Sequence, residues 1–324
     1  LGEVDAARVA YEAEIARMRG LAEVAAGDPA QLTALQTTLV RAGRALALAG
    51  ETEASVAMLD EGVGLARELV AAEPDGMARK AQLATALSAV ATLRTRVDDA
   101  AGAQAALTEA ASLLRPADDV ADAPETTHDL IVVLVRLGDT QLGLDDVDGA
   151  RASYQEAETR ARAAAEVDGA DVTAARDLIM TLNALGHLEG TRGDLALSFY
   201  HYDQAPDVAR ALRVSVGPQA YPDAAFADLL GQLASYGVLI EQDDVAEAVA
   251  REGLDLRPED AWLLRSLAHA QMFQGETEAA RDIYLSLVAD AETREALFSE
   301  FDALDFLGRT DPLMQEVRES AGQQ

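Results

Sequence analysis

Small and apolar residues recur in this chain at helical spacing. Leu130, Leu134 and Leu137 fall at i, i+4 and i+7, and Ala150, Tyr154 and Ala157 repeat such a stripe after the acidic turn Asp145-Asp146-Val147-Asp148-Gly149. Each stripe predicts an amphipathic helix, and two stripes joined by a short turn predict a helical hairpin. The layout returns at Leu185-Gly186, where Gly193-Asp194 makes the turn and Ser198, Tyr202 and Ala205 follow. Gly138 to Gly186 is a step of 48 residues, and a fixed period of that size is the mark of a solenoid.

The period extends both ways from this pair. Backwards it reaches Ala91 and Gly43; forwards it reaches Ala234 and then, after a shorter step of 34 residues, Ala268. Each small residue precedes a turn and a second apolar stripe. Glycine inside a helix costs about 1 kcal/mol against alanine. Its repeated use predicts a packing need: the two helices of a hairpin cross closely there, and a large residue beyond the turn fills the gap. Breakers separate the hairpins at Glu73-Pro74-Asp75-Gly76, Arg115-Pro116 through Pro124, Val167-Asp168-Gly169, Gly217-Pro218 with Tyr221-Pro222, and Arg257-Pro258-Glu259-Asp260. Asp75, Asp171, Asp223 and Asp260 are the expected helix N-caps.

Three regions follow. Residues 1–27 match the back half of a unit, since Gly2, Ala7 and Tyr11 take the offsets of Gly193, Ser198 and Tyr202, and the missing front half is expected upstream of Leu1. Residues 28–290 hold about six hairpins. Residues 291–324 depart from the pattern; Phe298, Phe301, Leu304 and Leu307 make an apolar face that Gly308 and Pro312 interrupt, as expected of terminal capping helices.

The motif resembles the tetratricopeptide repeat. It has Leu-Gly, then Gly or Asp seven residues on, then Ala, an aromatic and Ala, at Leu137 to Ala157, at Leu185 to Ala205 and, with Ala for Gly, at Leu267 to Leu287. Only the last step keeps that family's usual period; steps of 47 and 48 resemble a long-helix variant common in bacterial multidomain proteins. The resemblance implies an all-α, right-handed α-solenoid of antiparallel helical hairpins. It implies a concave groove lined by the first helix of each hairpin. The groove offsets give Val40, Arg41 and Arg44; Ser88, Thr92 and Arg96; Val135, Arg136 and Asp139; Asn183, His187 and Thr191; Gly231 and Ser235; and Arg265, His269 and Phe273. The Lys and Asn set with which some relatives clamp a C-terminal carboxylate is missing from those places. In bacterial chains such arrays often accompany a catalytic effector such as a caspase-like protease.

Composition narrows the partner. The formal net charge is −31, from 57 acidic and 26 basic residues. Such a charge disfavours nucleic acid and anionic membrane surfaces. No apolar run is long enough for membrane insertion. The chain has no cysteine, which removes disulfides, thiolate metal sites and cysteine nucleophiles. The cytoplasm is the expected compartment, although an exported bacterial protein fits the same composition.

Against that charge, Arg41, Arg44, Arg96 and Arg136 stand out. Two readings stay open: they hold a carboxylate-bearing or phosphorylated segment by bidentate contacts, or they pair with acids of neighbouring helices. Asn183 and His187, one turn apart, either orient a peptide backbone or stand as a solvated polar pair. His201, His128 and His269 lack the convergent partners of a zinc or catalytic site. The acidic pairs Asp98-Asp99, Asp145-Asp146 and Asp243-Asp244 lack the ligand alternation of a calcium loop and read as helix starts. Trp262 is a packing residue at a unit junction or an exposed anchor.

No catalytic constellation, cofactor motif or metal-binding set is visible. The expectation is a non-enzymatic interaction scaffold or regulatory domain. It takes a peptide or protein segment, whether intramolecular or from a same-operon partner, on Arg41, Arg44, Arg96, Arg136, Asp139, Asn183 and His187. The alternative is the sensor arm of a larger effector enzyme whose catalytic module precedes residue 1.

Overall fold

In the computed structural model, residues 2–25, 28–118, 124–167 and 171–322 are described, and side chains are described for these except residues 2–5, 7, 117, 118 and 124. The segments 119–123 and 168–170, and the side chain of Ala7, lie outside the described residues, and with them the breakers expected between Pro116 and Pro124 and at Asp168-Gly169. The described chain is entirely helical and turn-connected. Helix α1 (Gly2–Val24) precedes α2 (Pro29–Leu48) and α3 (Thr52–Ala72), α4 (Met77–Arg96) and α5 (Ala100–Asp118), and α6 (Pro124–Gly143) and α7 (Val147–Val167). Then come α8 (Val172–Thr191) and α9 (Leu195–Ser215), a 3-10 turn at Pro218–Ala220, α10 (Asp223–Leu239) and α11 (Asp243–Leu256), α12 (Ala261–Phe273) and α13 (Thr277–Leu287), and α14 (Ala291–Phe306) and α15 (Pro312–Ala321). The chain folds as two compact units, Leu1–Ala164 and Ala165–Gln324.

The hairpins close as the small residues demand. A Cβ added at Gly138 would lie 2.3 Å from Tyr154 Cε1, at Gly43 2.6 Å from Leu59 Cγ, and at Gly186 2.9 Å from Tyr202 Cε1. In all three the filler stands sixteen residues after the glycine. Alanine takes the glycine's place at Ala268, which packs in one core with the fully buried Tyr284, again sixteen residues on. A serine adds a second tie, with Ser55 Oγ donating to the Gly43 carbonyl at 2.8 Å and Ser198 Oγ to that of Gly186 at 2.7 Å.

The turns repeat as strictly. A left-handed residue closes the first helix of each described hairpin, at Gly50, Asp98, Asp145, Gly193, Glu241, Gly275 and Gly308. The next N–H in each case reaches back five residues, from Glu51 to Leu46, Asp99 to Arg94, Asp146 to Gln141, Asp194 to Glu189, Gln242 to Gly237, Glu276 to Gln271 and Arg309 to Leu304. This six-to-one bond is the Schellman motif, which satisfies carbonyls the helix end leaves open.

Second helices are joined by a ladder of arginine–glutamate pairs: Arg19–Glu61 and Arg67–Glu109 in the first unit, with Arg115–Glu156, and Arg210–Glu252 and Arg281–Glu316 in the second. Two of the four expected N-caps form. Asp171 accepts from Thr173 and Ala174 N–H, and Asp260 from Trp262 and Leu263 N–H. The other two are displaced by a residue: Gly76 caps α4 and Pro222 precedes α10, which starts at Asp223. Pro116 does not stop α5, which runs on to Asp118. The acidic pairs do start helices, since Asp99 accepts from Gly102 N–H and Asp146 from Gly149 N–H.

Candidate functional site

Burial on the first helices of the first unit leaves one stripe free on each. In α2 the buried set Leu39, Val40, Ala42, Gly43, Leu46 and Ala47 leaves Arg41 and Arg44 outside. In α4 the buried Leu83, Ala84, Ala86, Leu87, Ala89, Val90 and Ala91 leave Thr85, Ser88, Thr92 and Arg96. In α6 the buried Leu130, Ile131, Val133, Leu134, Val135 and Leu137 leave Asp129, Val132, Arg136 and Asp139. Steps of three and four put each set on one helix face. Val40 and Val135, which share the groove offsets, point into the core.

The first helices of successive hairpins touch here, α2 with α4 and α4 with α6. The stripes bound a cavity of about 220 Å³, lined by Arg44, Thr85, Ser88, Thr92, Asp129 and Arg136 among others. Arg136 Nη2 donates to Thr92 Oγ1 at 2.5 Å, and Thr92 in turn donates to the Ser88 carbonyl at 3.0 Å. Burial lowers the Arg136 guanidinium below its usual range, the Arg44 charge lowers it further, and Asp139 opposes both. Burial raises the Asp129 carboxyl, with His128 opposing and Glu125 adding. Asp139 is itself held, accepting from Tyr154 Oη at 2.7 Å.

Arg41, Arg44, Arg96 and Arg136 form no ion pair among the described residues, whereas Arg19, Arg67, Arg94 and Arg115 in the same unit each hold a carboxylate. Arg41 does act at a distance on Glu14, whose carboxyl the bonded Arg17 already draws down. The structure thus brings Arg44 and Arg136 to one cavity, while Arg41 and Arg96 extend the same stripes beyond its lining. Thr85 and Asp129 complete the lining and have no place in the repeat motif. Their signal was the step of seven residues each keeps from Thr92 and Arg136.

In the second unit the corresponding positions fare differently. His187 is exposed on α8, and Asn183 is half-buried with an Oδ1 that has no hydrogen-bond partner. Towards the C-terminus internal bonds take up the side chains. Trp262 stacks on Gly231 and donates from Nε1 to Ser235 Oγ at 2.7 Å, so it packs at a junction between hairpins. Arg265 donates to Glu300 at 2.9 Å, and His269 joins Glu300 at 3.0 Å and Tyr284 Oη at 2.7 Å. Burial raises the Glu300 carboxyl, but the bonds and charges of His269 and Arg265 outweigh it and bring the group below its usual range. Arg309 lies 3.8 Å over the Phe273 ring and binds Asp243 at 2.6 Å. Among the described residues no three His, Asp or Glu converge as a metal site, and no helix is long and apolar enough to cross a membrane.

No family profile matches the sequence, and no curated protein does. Solved structures do match in fold. BtubC (BKLC) from P. vanneervenii aligns with a TM-score of 0.62 at 16% identity, over 79% of this chain and 91% of that one. Aspartyl phosphate phosphatase F from Bacillus subtilis aligns at 0.56 and 11% identity, over 94% and 74%. The STAND protein with a tetratricopeptide repeat sensor from Pyrococcus horikoshii aligns at 0.54 and 11%, over 98% of this chain but 47% of that one. At these identities the likeness is one of fold: this chain is an all-α solenoid of tetratricopeptide-like hairpins.

Proposed function

We propose that this chain is a non-enzymatic protein-interaction or regulatory repeat domain, and that the face made by α2, α4 and α6 receives an acidic segment of a protein partner. One observation carries the reading. In a chain with 57 acids against 26 bases, four arginines on that face have no carboxylate partner among the described residues. Arginine presents a fixed fork of donors that suits carboxylates and phosphates, and an unpaired fork on a rigid helix is already organised for one. Arg41, Arg44, Arg96 and Arg136 are the proposed contacts, together with Asp139, the acidic member of the same face. Asn183 and His187 are the polar groups α8 offers in the second unit. The net charge disfavours nucleic acid as the partner.

A second reading, the sensor arm of a larger effector, is favoured by the fold shared with the P. horikoshii protein, whose name includes a tetratricopeptide repeat sensor. The coding sequence flanking this segment separates the two readings, since an adjoining catalytic module is required by the second alone.

The test of the first compares the chain with a variant carrying Arg41→Glu, Arg44→Glu, Arg96→Glu and Arg136→Glu, after circular dichroism has shown both folded. A partner captured from the source organism and then purified should bind the chain directly and lose at least tenfold in affinity for the variant. Equal binding to both would move the interface off this face.

A further inference from the structure

We infer that the cavity between α2, α4 and α6 is a subsite for one phosphoryl group carried on a side chain of the bound segment, clamped by Arg44 and Arg136. This rests on the reading of that face as the binding surface and narrows it to one chemistry.

Charge balance is the first argument. Two guanidiniums border one cavity, the Arg44 charge acts on Arg136, and neither holds a carboxylate at ion-pair distance among the described residues; Asp139 acts on Arg136 only at a distance, and Asp129 is the one acid in the lining. A carboxylate would cancel one of those charges. A phosphoryl monoester carries about −1.5 to −2 at neutral pH and three acceptor oxygens, so it matches both forks at once. On a chain of net charge −31 an anion needs a locally positive site, and this pair of arginines supplies one.

Size is the second. Pockets that enclose drug-sized ligands run to roughly 300–1,000 Å³. At about 220 Å³ this cavity suits a single modified side chain and not a nucleotide. Its polarity is also fixed. Asp129 stands seven residues before Arg136, about 10 Å along the helix axis, and its negative charge in the lining disfavours an anion beside it and favours one beside the arginines. Thr92 holds Arg136 in place, and the half-buried Ser88 hydroxyl lies between the clamps' helices as a further donor.

The test titrates the intact chain, at constant ionic strength, with N-acetyl-O-phosphoserine amide, N-acetyl-aspartic acid amide and inorganic phosphate, following arginine side-chain resonances by NMR. The phosphoserine probe should bind at least about tenfold more tightly than the aspartate probe and no more weakly than inorganic phosphate. Bonds to charged groups are worth about 1.5–3 kcal/mol, so Arg44→Gln or Arg136→Gln should weaken the phosphoserine probe by about ten- to a hundredfold. Arg251→Gln, an equal charge change in α11, should leave it unchanged. Equal binding of aspartate would make the cavity a carboxylate subsite and overturn the proposal. So would tighter binding of inorganic phosphate than of the phosphoserine probe, no saturable shift, or unaltered binding in both arginine variants. These failures differ from failure of the broader reading, which appears as a partner retained by the fourfold glutamate variant.

Discussion

A single hydrogen-to-methyl change distinguishes the two kinds of glycine in this chain. Gly138 sits where Tyr154 crosses, and a Cβ there would come within 2.3 Å of the ring. Gly64, on the exposed face of α3, has nothing within 4 Å. Helix propensity favours alanine by about 1 kcal/mol at both. Overpacking at Gly138 costs about 1–3 kcal/mol and outweighs it. Gly64→Ala is therefore expected to raise the denaturation midpoint and Gly138→Ala to lower it. If both changes raised the midpoint, close approach would not be why the glycine recurs. The glycine was legible in the sequence because packing repeats with the period. The arginine site was legible only in part. The offsets singled out Arg44 and Arg136, but nothing in one dimension showed that they share a cavity or that neither forms an ion pair among the described residues. The offsets also included Arg265 and His269, which the last helices take up through Glu300.

At the scale of the element, each hairpin turn spends one residue in the left-handed region. Gly50, Gly193, Gly275 and Gly308 adopt it freely, whereas Asp98, Asp145 and Glu241 do not. Aspartate tolerates that region better than glutamate, because its short side chain can bond locally. Glu241, at φ 65°, is thus the most strained of the three by residue type. Relieving the strain is worth about 1–2 kcal/mol, and the added freedom of glycine in the unfolded chain returns about 0.4–1 kcal/mol. Glu241→Gly should stabilise the chain modestly, by about 1 kcal/mol in urea unfolding. A loss of stability would mean that the glutamate side chain contributes something the turn geometry does not show. The turns were readable as acidic or glycine-rich punctuation seven residues past each small residue. The exact caps were less so: at Asp75 and Asp223 the start slipped by one residue, because a neighbouring Gly76 or Pro222 suits the cap backbone. The arginine–glutamate ladder escaped the sequence reading altogether. Four of its five rungs join residues 41 or 42 apart, a separation that differs from the 47- and 48-residue steps and so does not stand out, and the fifth joins residues 35 apart.

For the molecule as a whole, the question is whether local ion pairs or the summed charge governs the response to salt. The ladder rungs are largely exposed, with Arg67 and Glu109 at 55% and 39%, and such pairs contribute about 0.2–1 kcal/mol each. Salt weakens every one of them. It also screens the mutual repulsion of a net charge of −31, which acts over the long range that low ionic strength permits: about 30 Å at 0.01 M against about 10 Å at 0.1 M. Repulsion among 57 acids extends beyond nearest neighbours, whereas each rung is a contact pair that screening reduces only in part. The long-range term should win. The melting temperature is expected to rise by several degrees between about 0.01 and 0.3 M sodium chloride, given roughly 2–4 °C per kcal/mol for a unit of this size. A flat or falling melting temperature would instead place the balance with the rungs. It would also make the ladder, and not the hairpin crossings alone, a main support of the repeat stack.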